Sequence, residues 1–279
     1  MTFTGGKVRR RPTSWPLIAN SVLASTFGVV IALLADSIGR LALGILLDRD
    51  PVIYHNRVEF LAEGNEFALA GGAVGALLAG GIFLAFYPGT KPRSAGRLAL
   101  LWLVLHSFRQ GFVALAMTPL RPESDVAVAI ASLDLPSGID LLLGAAGVLG
   151  LLLVSLAAAP AFLAFAASYR DQETPARRLG FCAKVAVLPG VAGALLAVAF
   201  FLPDSGTSLI PELPFYGLFT IVTLLAAPAI RPVQTPIDDE RHVLSWGLLA
   251  TVIVTFLIFR FALSRGIPIP PDPEGFFYT

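Results

Sequence analysis

Four residues that could bind a metal ion or exchange protons follow one another closely in the chain. His55, Glu59, Glu63 and Glu66 are separated by four, four and three residues. In a helix this spacing places all four side chains on roughly one face. Imidazole and carboxylate groups are metal ligands and acid–base groups, so His55, Glu59 and Glu63 are the candidate ligands of a metallo-hydrolase. A structural cap on the following apolar helix is the competing interpretation.

A second group of ionisable residues falls within or beside apolar runs, where charge is costly and therefore informative. This group comprises Asp36, Arg40, Glu63, Glu66, His106 and Arg109. At about 1.5 Å per residue, Arg109 lies somewhat beyond the bilayer midplane and reaches outward to the level of Glu66, which predicts an ion pair. His106 lies deeper. Three roles stay open for the group: ion pairs that lock three helices together, a proton or ion pathway, or a site for a polar ligand or partner.

The elements that must position these residues are membrane helices. Hydrophobic residues make up 56% of the 279 residues and charged residues only 14%, whereas a soluble domain has about 25% charged residues. A net charge of +1 leaves no concentrated basic face for phosphates, so nucleic acid is excluded as a partner. We therefore predict an all-α, polytopic integral membrane protein whose partners are the lipid bilayer and other membrane protein subunits.

Seven apolar runs, separated by proline and glycine, predict about seven transmembrane helices in a single membrane domain, residues 1–279. The first apolar run is too long for a signal peptide, so we interpret it as an uncleaved span that continues past Arg40 as an amphipathic segment. The predicted helices cover approximately 16–38, 62–87, 98–117, 141–167, 181–202, 215–230 and 243–264, and residues 265–279 form a proline-rich tail.

The second predicted helix carries small residues at every fourth position. Gly71 and Gly75 form one row, and Gly72, Ala76 and Gly80 form another. Rows of this kind let a neighbouring helix approach closely in a membrane. We expect this helix to be surrounded by other helices.

Basic residues give the orientation, because short cytoplasmic loops retain Lys and Arg. With a cytoplasmic N-terminus and an external C-terminus, twelve basic residues fall inside and four outside. The inner ones are Lys7, Arg9, Arg10, Arg11, Lys91, Arg93, Arg97, Arg170, Arg177, Arg178, Arg231 and Arg241, and the outer ones are Arg49, Arg57, Arg121 and Arg265. Trp15, Trp102 and Trp246 all fall at predicted inner helix ends, where such rings prefer to lie. The expected location is the prokaryotic inner (cytoplasmic) membrane.

No cofactor is expected. A bis-histidine haem site needs two histidines at matching depth on facing helices, but His55 is outer, His106 is near the middle and His242 is inner. The longest outer connection, from Thr118 to Asp140, contains DVAVAIASL, which predicts a short surface helix capped by Ser124 or Asp125.

The segment LLADSIGRLALGIL resembles the LLxHExGHLLAxxL helix of the site-2 protease (M50) membrane metallopeptidases, and AGGAVGALLAGG resembles the GGPL-type helix that follows it. The resemblance covers the N-terminal half of the chain. Asp36 stands at the first metal-binding histidine, Ser37 at the catalytic glutamate and Arg40 at the second histidine. Asp125 is the candidate for the later aspartate ligand. The resemblance implies a protease scaffold that has lost its chemistry, because a cation at Arg40 repels a metal ion.

These features predict a non-catalytic membrane protein that acts as a binding or structural subunit of a larger membrane complex. A divergent intramembrane metallo-hydrolase and a small transporter or ion pathway are the two alternatives. Intramembrane charges favour the transporter, whereas the absence of an internal repeat opposes it.

Overall fold

A computed structural model describes residues 15–55, 57–61, 64, 66–133, 135–136, 138–201, 213–231 and 242–269. In this part of the chain, six helices are long and apolar enough to cross a membrane, and Phe215–Ala229 forms a shorter apolar helix. The prediction of an all-α protein with several membrane helices is confirmed.

Ten helices and three short strands make up the described fold. The helices are α1 (Trp15–Leu46), α2 (Glu66–Leu69), α3 (Gly71–Phe86), α4 (Ala95–Met117), α5 (Asp125–Ala131), α6 (Ile139–Leu163), α7 (Pro175–Cys182), α8 (Leu188–Phe201), α9 (Leu213–Ala226) and α10 (Trp246–Phe261). The strands are β1 (Pro51–Ile53), β2 (Val58–Phe60) and β3 (Ile267–Pro268). A five-residue π-helix, Ala183–Val187, joins α7 to α8.

Helix α1 is longer than the predicted segment 16–38. Its 32 residues correspond to about 48 Å, whereas the hydrocarbon core of a bilayer is about 30 Å thick. The amphipathic segment after Asp36 continues the same helix, as expected, and carries Arg40 to the end of the bundle where β1 begins.

Helix α4 lies at the centre of the bundle and packs against α1, α3 and α6. It starts cleanly because the side chain of Ser94 accepts a hydrogen bond from the Arg97 backbone N–H. Residues on every side of α4 are buried, including Trp102 and Arg109. This position explains why α4 carries polar side chains that do not face lipid.

Glycines bring α1 and α3 into backbone contact. A methyl group added to Gly39 would overlap the carbonyl oxygen of Gly71, and one added to Gly75 would lie 2.5 Å from the Ala35 carbonyl oxygen. Gly80 packs against the ring of Phe108 on α4. These contacts confirm that the small-residue rows of α3 allow close approach of neighbouring helices.

The described residues from His55 to Phe60 form part of a hairpin and not the predicted helix, whereas Glu66 begins α2. Strands β1 and β2 pair antiparallel, with Val52 opposite Glu59 and Ile53 opposite Val58, and His55 lies in the connecting turn. β-branched residues on both sides of that turn favour extended backbone, and this preference overrides the apparent helical spacing. Glu63 lies outside the described residues.

The end of the chain returns to this hairpin. Strand β3 pairs antiparallel with β1, with Ile53 opposite Ile267, so the C-terminal ends of α1 and α10 lie at the same end of the bundle. At the opposite end, the Asn20 side chain on α1 donates to the Val243 carbonyl (2.8 Å) and accepts from the Ser245 N–H (2.9 Å). Helix α10 is therefore fixed to α1 at both ends. Of the predicted tail, residues 270–279 lie outside the described part.

Candidate functional site: a buried polar core and an outer ion-pair cluster

A hydrogen-bonded node joins α1, α4 and the π-helix in the interior. Pro189 has no N–H, so the Val185 carbonyl four residues earlier lacks its usual helical donor. The Ser21 hydroxyl donates to that carbonyl at 2.6 Å and accepts from the Trp102 indole N–H at 2.9 Å. Placing Trp102 at the membrane interface was wrong, because its side chain is fully buried, whereas Trp15 and Trp246 are exposed. Pro189 inside an apolar helix is the sequence signal that the Val185 carbonyl needs a donor from elsewhere.

Ser21→Ala is expected to destabilise the protein by about 1–3 kcal/mol, because it leaves both the Val185 carbonyl and the Trp102 N–H without their partner. SDS titration followed by circular dichroism measures the change in unfolding free energy. Ser264→Ala removes an exposed hydroxyl bond to the Arg260 carbonyl and serves as the matched control. Equal stability of the two variants would contradict the role assigned to Ser21.

Ser25 and His106 form a second bond between α1 and α4. The Ser25 hydroxyl lies 3.0 Å from His106 Nε2, and the imidazole stacks on Trp102 with ring centroids 5.0 Å apart. This is the spacing of a nucleophile and its general base. However, both side chains are buried, and a methyl group on Gly193 would lie 2.5 Å from the Ser25 hydroxyl. The Gly193 backbone occupies the space on one side of the Ser25 hydroxyl, and the Ser25–His106 bond joins α1 to α4.

The outer cluster is an ion-pair bridge between α1 and α5. Arg40 Nη2 lies 2.7 Å from Asp36 Oδ2, and Arg40 Nη1 lies 2.7 Å from Asp125 Oδ2. Asp36 is buried, whereas Arg40 and Asp125 are partly exposed. Gly72 on α3 makes room, because a methyl group there would lie 2.5 Å from Asp36 Oδ1. The predicted surface helix forms as α5, with Ser124 at its N-cap position but without a side-chain capping bond.

The predicted ion pair between Arg109 and Glu66 is wrong. The guanidinium carbon of Arg109 lies 3.5 Å from the ring centroid of Tyr216, a cation–π contact with the following α9 helix. Glu66 is exposed in the first turn of α2, whereas Arg109 is buried. The reason is rotational: Gly111 contacts Leu77 of α3, and Arg109, two residues earlier, points about 160° away around the helix.

Of the three candidate metal ligands, the structure describes His55 and Glu59, both in the hairpin region. Glu59 accepts a hydrogen bond from Arg57 Nε at 2.6 Å. The backbone N–H of His55 donates to the Leu263 carbonyl at 3.1 Å. Within the described ranges, no group of three His, Cys, Asp or Glu side chains is placed to hold a metal ion. His55 and Glu59 therefore act in the hairpin and its junction with the end of α10.

Buried side chains also fasten the end of the bundle where α1 begins. Arg178 donates to the Gln172 carbonyl at 2.7 Å and to the Pro228 carbonyl at 2.6 Å, which ties α7 to the end of α9. A ring nitrogen of His242, just before α10, lies 3.1 Å from the Phe165 carbonyl. Sequence reasoning counted Arg178 as a loop cation and missed this role.

Comparison with known proteins does not assign the chain to a family. No family model matches the chain, and no curated protein or solved structure matches it significantly.

Proposed function

We propose that the chain is a non-catalytic protein of the prokaryotic inner membrane that serves as a binding or structural subunit of a larger membrane complex. The observation that carries this proposal is the use of its reactive groups. Ser25 and His106 join α1 to α4, Arg40 joins α1 to α5 and pairs with Asp36 of its own helix, and the hydroxyl and imidazole that could form a nucleophilic pair are buried.

The resemblance to the site-2 protease family supports the same proposal. The positions that correspond to metal ligands in that family, Asp36, Arg40 and Asp125, lie together in one cluster. The Arg40 guanidinium occupies the place between the two carboxylates, where a metal ion would need their oxygens. A metallo-hydrolase is the weaker candidate for this reason, and zinc analysis of the purified protein separates the two.

Helix α10 is the surface we assign to a partner. Its two ends are fixed to α1 through Asn20 and β3. Nevertheless, only 11% of the residues in an apolar 18-residue stretch of this helix are buried within the chain. Val254, Leu257 and Phe261 are among its exposed side chains. A helix placed so firmly and covered so little presents a rigid apolar face to another membrane helix or to lipid.

Native purification in mild detergent tests the assignment to a complex. We expect the wild-type chain to migrate with other membrane proteins, and Val254→Trp to weaken that association about tenfold, as loss of about 1.4 kcal/mol does. Leu149→Trp, which enlarges an equally exposed residue on α6, is the control. Wild-type protein that runs as a single chain, or an equal loss in both variants, would refute the subunit role.

Seven crossings with a cytoplasmic N-terminus and an external C-terminus complete the proposal. Since β1 follows α1 and β3 follows α10, their pairing requires α1 and α10 to run in the same direction. An odd number of crossings meets that requirement, which supports counting the shorter apolar helix Phe215–Ala229 with the six longer ones. The excess of basic residues on the predicted inner loops supports the orientation.

Cysteine labelling checks the orientation in a Cys182→Ala background, since Cys182 is the single native cysteine. An impermeant maleimide applied to intact spheroplasts is expected to modify Glu123→Cys and to spare Glu173→Cys until the membrane is opened. The two positions are matched, because each is an exposed glutamate paired with a nearby arginine. The reverse pattern would invert the topology.

A further inference from the structure

One turn of α4 carries three buried polar side chains with unused hydrogen-bonding atoms. His106, Ser107 and Gln110 are 3%, 0% and 6% exposed. His106 Nδ1, Ser107 Oγ and Gln110 Oε1 are each enclosed and have no hydrogen-bond partner in the described part of the chain. Ser107 does not even bond back to its own helix, which is the usual solution for a serine in the middle of a helix.

Such atoms are expensive in a membrane interior. An amide or hydroxyl without a partner costs roughly 2–7 kcal/mol in an apolar environment, and membrane proteins satisfy such groups internally. Buried polar atoms that protein groups do not satisfy are bonded to internal water, and each such water typically makes about three hydrogen bonds. The three atoms lie within about 6 Å along the helix axis, a spacing that one short row of waters matches.

The three side chains share a direction. A methyl group on Gly28 of α1 would lie 2.9 Å from His106 Cδ2, so His106 faces α1, whereas Gly111 faces Leu77 on α3. Gln110 and Ser107 fall between these two directions, at about 40° and 100° from His106 around the helix. Both therefore face the seam where α1, α3 and α4 meet.

The same seam leads to the outer ion-pair cluster. Asp36 lies two turns beyond Gly28 on α1 and contacts the position of Gly72 on α3. Arg40 and Asp125 continue from there to the partly exposed end of the bundle. In the other direction, the stacked Trp102 ring, bonded to Ser21, closes the seam beyond His106.

We propose that this seam is a hydrated half-path, which admits water and water-sized cations from the Asp36 end as far as His106 and is closed beyond it. The inference does not depend on the proposed subunit role, since a structural subunit and a transporter are both compatible with internal water. It assigns a task to Ser107 and Gln110, whose side-chain oxygens have no hydrogen-bond partner among the described residues.

Silver ion, a thiol reagent comparable in size to water, tests the path. Ser107→Cys and Gln110→Cys are made in the Cys182→Ala background, and Ag⁺ modification is measured as protection from maleimide after unfolding. The control is Leu105→Cys, at the same depth and also buried, but about 100° from His106 on the side away from the seam. We expect the seam cysteines to react at least about tenfold faster, because a cation enters a dry apolar interior only at a cost of several kcal/mol. Equal rates at all three positions would overturn the proposal.

Hydroxyl-radical labelling of the wild-type protein gives a second measurement that does not depend on how the variants fold. Radiolysis generates radicals from bound water, so a side chain that touches internal water is oxidised although it is buried. We expect His106 to be oxidised and Phe165, which is just as buried, to be spared. Protection of both residues would likewise overturn the hydrated path.

Discussion

Gly39→Val is expected to cause one of the two largest losses of stability considered for this chain, at or above the upper end of the about 1–3 kcal/mol typical of overpacked interiors. The added side chain would meet the Gly71 backbone carbonyl and the Cα of Gly75. Backbone atoms cannot change rotamer, so α1 and α3 must separate. Separation of the helices would also move Gly72 of α3 away from the Asp36 carboxylate, which packs against it.

Gly81→Val is the matched control for this change. Gly81 lies on α3, the helix that Gly39 of α1 contacts, and a methyl group there meets nothing within 4 Å. Both variants carry the same loss of backbone freedom and the same β-branched side chain. SDS titration of the two proteins, with Gly39→Ala as a milder version, isolates the helix contact. Similar midpoints for the Gly39 and Gly81 variants would show that α1 and α3 do not touch through their backbones.

Arg40→Leu is expected to have the second large effect. It leaves the buried Asp36 carboxylate and the nearby Asp125 carboxylate without the cation that joins them. Removing one partner of a buried ion pair costs about 3–5 kcal/mol, and the partial exposure of Arg40 and Asp125 places this site toward the lower value. Asp36→Asn added to Arg40→Leu removes the uncompensated buried charge, so the double variant should recover at least half of the lost stability.

The exposed pair Arg57–Glu59 provides the comparison. Arg57→Leu should change the unfolding free energy by less than about 1 kcal/mol, because both side chains are in contact with solvent. Unfolding is measured by circular dichroism for the wild type and four variants: Arg40→Leu, Asp36→Asn, their combination and Arg57→Leu. A double variant whose loss equals the sum of the losses of Arg40→Leu and Asp36→Asn would show that Arg40 and Asp36 are not coupled.

The membrane class and most helix positions could be predicted because they depend on runs of apolar residues, which are local properties of the chain. The wrong predictions concern places where contacts with distant parts of the chain determine the backbone conformation or the direction of a side chain. The His55–Glu66 spacing indicates a helix only if the backbone is helical, and the pairing of β1 with β3, contributed by the far end of the chain, stabilises strands there instead. Depth alone placed Arg109 beside Glu66, but the rotation of α4 directs it to Tyr216.

The interior node shows a different limit. Ser21, Trp102 and Val185 are distant in the sequence, and each has an ordinary place in an apolar helix. Pro189 indicates only that one carbonyl needs a donor, and no local pattern says which helix supplies it. Within the ion-pair cluster, the family resemblance was the only reason to consider Asp125, because its loop position gives no hint that it reaches Arg40 on α1.

The pairing of β3 with β1 has a consequence for biosynthesis. Residues 51–60 are made early, but β1 obtains its second neighbour only after α10 and Ile267 have been synthesised, more than 200 residues later. At about 5–20 residues per second, the outer edge of β1 waits roughly 10–40 seconds with unsatisfied backbone groups. During that interval the nascent chain offers an open strand edge, which a chaperone or an early-binding subunit would find only before translation ends.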